Sequence, residues 1–97
     1  MLITRIKNLR LRAIIGAYDI ERNVKQNVIL NISYAFDASK AQLSDNLEDT
    51  IDYQELVKVI AERVEESRFY LVERLADYIA TLVMENKRIA VSYTHLT

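Results

Sequence analysis

The chain is 97 residues long, and 13 Lys and Arg against 14 Asp and Glu leave a formal charge of −1. That length supports one domain around one core, and a hydrophobic content of 51% excludes extended disorder. Cysteine is absent and His95 is the only histidine, which excludes disulfides, thiolate chemistry, Cys- or His-rich metal centres and an ordinary Ser-His-Asp triad.

The first element is a strand. Leu9, Leu11, Ala13 and Ile15 alternate with Arg10 and Arg12, the period of two that half-buries a strand and leaves a basic outer face. It can begin as early as Ile3. Gly16 ends the run, and the polar stretch Ala17 to Gln26 reads as a loop. A second strand follows, with Val28, Leu30, Ile32, Tyr34 and Phe36 on one face, and the short connection suggests an antiparallel pair. Ile29 and Ala35 on this strand, with Ile6 and Ile14 on the first, place apolar residues on the outer face as well. That pattern favours burial against other subunits.

After a second polar stretch, Asp52 is a good N-cap with Glu55 at the capping-box spacing. Tyr53, Leu56, Val57, Ile60, Ala61 and Val64 then recur at helical intervals up to about Glu66. Ser67-Arg68-Phe69-Tyr70 breaks the pattern. A second helix carries Leu71, Leu75, Ile79, Leu82 and Val83 and ends near Asn86, and Ile89-Ala90-Val91 opens a third strand. The order is β-β-α-α-β, an α+β fold with an antiparallel sheet and both helices on one face.

Few side chains offer chemistry. With one glycine and no proline, no Gly-rich phosphate loop can be built. Near-neutral charge gives no electrostatic reason to expect nucleic acid. No apolar run approaches the ~18 residues of a membrane span, and no signal-like segment precedes the strands, so a cytoplasmic location is expected. Glu73, in the first turn of the second helix among Leu71, Val72 and Leu75, can accept two parallel hydrogen bonds from a planar amidine-like edge such as a pterin or guanine. From spacing alone a capping carboxylate or a surface pair with Arg74 or Asp77 outweighs that role. Tyr53 can transfer a proton at a loop-lined cleft, or simply pack on Val57. Glu21, in the loop after Gly16, can act as acid, base or acceptor, or remain solvated. Lys7, Arg10 and Arg12 can attract a phosphorylated substrate or serve only as a soluble strand face.

Taken in order, these segments resemble the dihydroneopterin aldolase family, which includes the dihydroneopterin triphosphate 2'-epimerases. The resemblance rests on Arg5-Ile6-Lys7-Asn8-Leu9-Arg10-Leu11-Arg12 leading to Ile15-Gly16, and on Glu21 with Gln26. It extends through Ala41 with Ser44-Asp45-Asn46-Leu47, Asp49-Thr50-Ile51-Asp52-Tyr53 and Phe69-Tyr70-Leu71-Val72-Glu73-Arg74-Leu75-Ala76, covering roughly 3–90. The opening and the last block look closer to the epimerase branch.

The resemblance implies the tunnelling fold (T-fold), in which a tetrameric ring closes its sheets into a barrel and two rings stack into an octamer. Each pocket then lies between neighbouring subunits. It implies a pterin substrate, no cofactor and no metal. Glu73 would anchor the pterin 2-amino group and N3–H, with Leu71, Val72 and Ile51 completing recognition. Tyr53 from the adjoining subunit would transfer a proton or stack, and Glu21 would order a water or the substrate's hydroxylated side chain. The implied reaction is retro-aldol cleavage of the C1'–C2' bond with the pterin ring as electron sink. Release of the fragment gives the aldolase outcome of folate biosynthesis, and rebonding on the other face gives the 2'-epimer.

The end of the chain departs from the family. The family carries a further strand pair with a lysine, whereas Ser92-Tyr93-Thr94-His95-Leu96-Thr97 does not resemble that region and no lysine follows Lys87. An incomplete family domain over 1–91 and an atypical tail over 92–97 are therefore expected, with the last strands missing or altered. Such a chain would keep the anchor pocket, lose most turnover and assemble poorly. A non-catalytic pterin-binding barrel subunit is the alternative reading.

Overall fold

The computed structural model describes residues Met1–Leu96. Strand β1 spans Leu2–Ile15 and pairs antiparallel with β2, Gln26–Phe36. The alternation in β2 is strict: Val28, Leu30, Ile32, Tyr34 and Phe36 are buried, while the residues between them face the other side of the sheet.

β1 changes parity along its length. A bulge between Ile6 and Leu9 interrupts the ladder, with Asn8 at φ 57°. Asparagine tolerates this left-handed conformation better than most residues, and the Asn8 N–H donates to Asn31 Oδ1 at 3.0 Å. Beyond the bulge the odd positions Leu11, Ala13 and Ile15 are buried, but before it Ile6 packs against the core. Ile6 therefore does not share the outer face with Ile14 as expected, because an extra residue in the ladder exchanges the two faces. Gln26 is also reassigned. It opens β2 opposite Ala13, and the loop before it holds a 3-10 turn over Asp19–Asn23.

Two short helical segments follow, α1 (Ser39–Ser44) and a 3-10 turn at Leu47–Asp49. Helix α2 runs Tyr53–Glu66, and Asp52 caps it by accepting from the N–H groups of Gln54 and Glu55 at 3.1 and 3.2 Å. Leu56, Ile60 and Val64 bury its stripe. The break after it forms a two-residue strand, β3 (Arg68–Phe69), parallel to Ile14 and Ile15. Helix α3 (Val72–Met84) buries Leu75, Ile79, Leu82 and Val83, and β4 (Ile89–Leu96) pairs antiparallel with β2. The sheet order is β3-β1-β2-β4.

The main elements thus follow β-β-α-α-β, with α2 packed over β1 and α3 against β4. Residues 92–96, expected as tail, continue β4 against β2, and Thr97 lies outside the described residues. The body is elongated, 53 × 20 × 18 Å. Its outer sheet face carries half-buried Ile29 and Ala35 beside exposed Val91 and Tyr93. Among the described residues β1 from Leu2 to Ala13 has no strand on its outer edge, and neither does β4.

Asp49 ties α1 to the approach of α2. The Ser44 hydroxyl donates to its carboxylate at 2.6 Å and Lys40 Nζ lies 3.1 Å away. The Ser44 bond first, then Lys40, holds the Asp49 carboxyl below the usual aspartate range. A carboxylate depressed in the folded state stabilises the fold above its unfolded value, and that contribution disappears as pH falls through the folded value. Asp49→Asn should therefore lower the melting temperature at neutral pH, with the difference shrinking from about pH 4 downward. Thermal melts of both chains across pH 2–7 check this; a difference independent of pH would refute it.

Candidate active site

The structure sorts the candidate residues into two groups. Glu21, Leu71, Val72 and Glu73 gather at the end of the sheet where β1 finishes. Ile51 and Tyr53 stand at the other end, beside the start of β1.

At the first end, Gly16 makes the turn out of β1 with φ 135°. The half-buried Glu21 carboxylate folds back over this glycine, so closely that a Cβ there would overlap its carboxyl carbon and both oxygens. Tyr18 N–H donates to Glu21 Oε1 at 3.1 Å. Gln26 Nε2 donates to Ile15 O at 2.7 Å and reaches Glu21 Oε2 at 3.4 Å. Glu21 is therefore a held acceptor rather than a freely solvated one.

Val72 and Leu75 of α3 line a recess of about 160 Å³ with Ile15, Gln26, Asn27, Val28 and Leu96. Leu71 is the N-cap of α3 and offers no side-chain cap, which leaves the N–H groups of Val72 and Glu73 available. Its carbonyl accepts from Arg74 and Leu75. Glu73 is exposed in that first turn next to Val72. Arg74 pairs with Asp77 at 3.1 Å instead of with Glu73, so the surface pair that spacing allowed for Glu73 goes to its neighbours.

At the second end, a cavity of about 410 Å³ is lined by Leu2, Thr4, Tyr34, Phe36, Leu47, Thr50, Ile51, Asp52, Tyr53 and Gln54. Ile51 is buried, whereas Tyr53 is 57% exposed. Burial pushes the Tyr34 phenol up, and the Thr4 hydroxyl draws it partly back. Thr4 and Tyr34 escaped sequence reasoning because they read only as strand residues.

The two ends are separated by the lengths of α2 and β1 that connect them, about 20 Å along the helix and about 45 Å along the strand. One chain cannot bring Tyr53 to Glu73. The first recess is also smaller than the ~300–1,000 Å³ of ordinary ligand pockets, so it is one wall of a site. Arg10 and Arg12 are exposed on the outer sheet face, and Arg12 is engaged with Lys25 O at 3.2 Å. Among the described residues no three of His, Asp and Glu gather to hold a metal, and no helix is long and apolar enough to cross a membrane.

Sheet order, helix placement and the glutamate beside the uncapped start of α3 define an α+β protein of the tunnelling fold. A family model described as dihydroneopterin aldolase matches residues 4–96. The dihydroneopterin triphosphate 2'-epimerase of Escherichia coli is 37% identical over 84 residues, covering 87% of this chain and 70% of that enzyme. The dihydroneopterin aldolase of the same organism is 36% identical over 82 residues, covering 84% and 67%. A crystal structure of the Escherichia coli aldolase in complex with neopterin matches with a TM-score of 0.92 at 32% identity, covering 99% of this chain and 84% of that one. The chain belongs to the dihydroneopterin aldolase family.

Proposed function

We propose that the chain binds a 7,8-dihydropterin between two subunits of a ring and epimerises 7,8-dihydroneopterin triphosphate at C2' by retro-aldol and aldol steps. The observation that carries this reading is the separation of the Val72–Leu75 recess, beside the turn that carries Glu73, from the Tyr53 cavity on opposite ends of one elongated body. A neighbouring copy turns two incomplete walls into one site, and the unpaired edges of β1 and β4 support such a ring. The neopterin held by a relative 32% identical supports a pterin as the ligand.

In this reading the Glu73 carboxylate accepts from the 2-amino group and N3–H of the pterin, a bidentate pattern that fixes the ring in its plane. Backbone groups at Leu71 and Val72, with that of Ile51 from the adjoining subunit, border the ring edge. Tyr53 of the adjoining subunit moves a proton or stacks, and Glu21 receives the hydroxylated side chain or a water. The protein's work is chiefly positioning, because the protonated ring accepts the electron pair of the broken bond. The near-equal identity to the aldolase supports a second outcome, release of glycolaldehyde from unphosphorylated 7,8-dihydroneopterin.

Mixing two defective chains tests the shared site. Glu73→Gln and Tyr53→Ala rings, unfolded together in equal amounts and refolded, should regain about a quarter of the native pterin sites, since chance assembly pairs an intact Glu73 with an intact neighbouring Tyr53 that often. No recovery would place the whole site within one chain. Offering the triphosphate and the unphosphorylated substrate separately decides the reaction: glycolaldehyde from the latter alone would sink the epimerase reading.

A further inference from the structure

Glu21 sits in a 3-10 turn without a single buried residue, so no apolar anchor holds that turn to the protein. The anchor is polar, and it is the next residue. Arg22 Nη1 donates to Gly16 O at 3.2 Å and to Phe69 O at 3.1 Å, while Nη2 donates to Arg68 O at 2.6 Å. Its guanidinium also lies 4.1 Å from the centre of the Tyr70 ring. Arg68 completes the lock by donating from Nη2 to Arg22 O at 3.0 Å.

One planar cation thus binds three carbonyls on two segments far apart in sequence, the end of β1 and the strand that leads into α3. Only a guanidinium supplies that fork and a flat face for the tyrosine; a lysine ammonium is a point donor. The lock closes directly over the backbone that carries Glu21, whose carboxylate is then aimed by Tyr18 N–H and Gln26.

We propose that Arg22 is a positioning residue that fixes the Glu21 carboxylate for the hydroxylated side chain of a bound pterin, a role that rests on the function proposed above. It acts through Glu21 and does not touch the ring-binding edge at Glu73. Neopterin, which carries that side chain, and unsubstituted pterin, which lacks it, should therefore respond differently.

The test compares the full-length protein with Arg22→Lys and Arg22→Gln by fluorescence titration with both ligands. Either variant should bind neopterin about tenfold more weakly, the size of one lost charge-assisted bond, and keep pterin within about twofold. In a Glu21→Gln background the same changes should have no further effect. Equal weakening of both ligands, or additive losses in the double variants, would overturn the proposal, because a general structural role predicts them. Hydrogen exchange gives a reading that needs no ligand. The Tyr18 amide, bonded to Glu21, should exchange faster in both variants while β2 amides keep their protection, and unchanged exchange at Tyr18 would overturn the positioning role. If the wild-type protein binds neither ligand, the pterin reading fails, and the exchange result alone decides whether Arg22 holds Glu21.

Discussion

Glu73→Gln is expected to weaken dihydropterin binding about 100-fold, the loss of one charge-assisted hydrogen bond and the conflict of two facing donors. An amide keeps the length and shape of the side chain but presents one acceptor and one donor, whereas the 2-amino and N3–H edge presents donors only. The fold should scarcely respond. Glu73 is exposed, and the neighbouring ion pair joins Arg74 to Asp77. The first-turn carboxylate contributes to α3 through the helix dipole by about 0.5 kcal/mol. That difference corresponds to a melting shift of about 2–4 °C for a chain of this size. Ligand titration and calorimetry on the same samples separate the two effects. Affinity within threefold of wild type would remove Glu73 from the site and take the pterin assignment of this recess with it.

What the sequence made legible is what local periodicity encodes. Asp52 and the repeat Leu56, Ile60, Val64 mark α2, and the structure places the helix over Tyr53–Glu66 with that cap in use. The alternation of Val28 through Phe36 likewise marks the central strand. Ile6 was misplaced because one inserted residue at the bulge leaves composition unchanged and reverses every side chain before it. Arg22 carried no signal at all, since its partners Arg68 and Phe69 stand 46 and 47 residues away. The division of the site is a matter of direction rather than pattern. Tyr53 and Glu73 are close in the chain, but α2 carries the backbone from one end of the sheet to the other between them. Spacing shows that a helix intervenes and is silent on which way it points.

Gly16→Ala is expected to be the most damaging single-methyl change in the chain, and its two effects share one cause. At φ 135° an alanine is strained by itself, a cost of about 1–3 kcal/mol for residues forced into such regions. The added methyl also has nowhere to go, because the space beside this Cα is filled by the Glu21 carboxyl group. The side chain must leave, and with it go the bonds from Tyr18 N–H and Gln26 Nε2. A loss of about 2 kcal/mol lowers the melting temperature by roughly 8–16 °C in a domain of this size. Glu21→Ala in the same background separates strain from overlap. Removing the carboxyl clears the space for the methyl, so the double variant should regain part of the lost stability while the backbone term stays. Additive losses instead would mean that Glu21 does not pack on Gly16 in solution, and the held acceptor on which the substrate side chain depends would be gone.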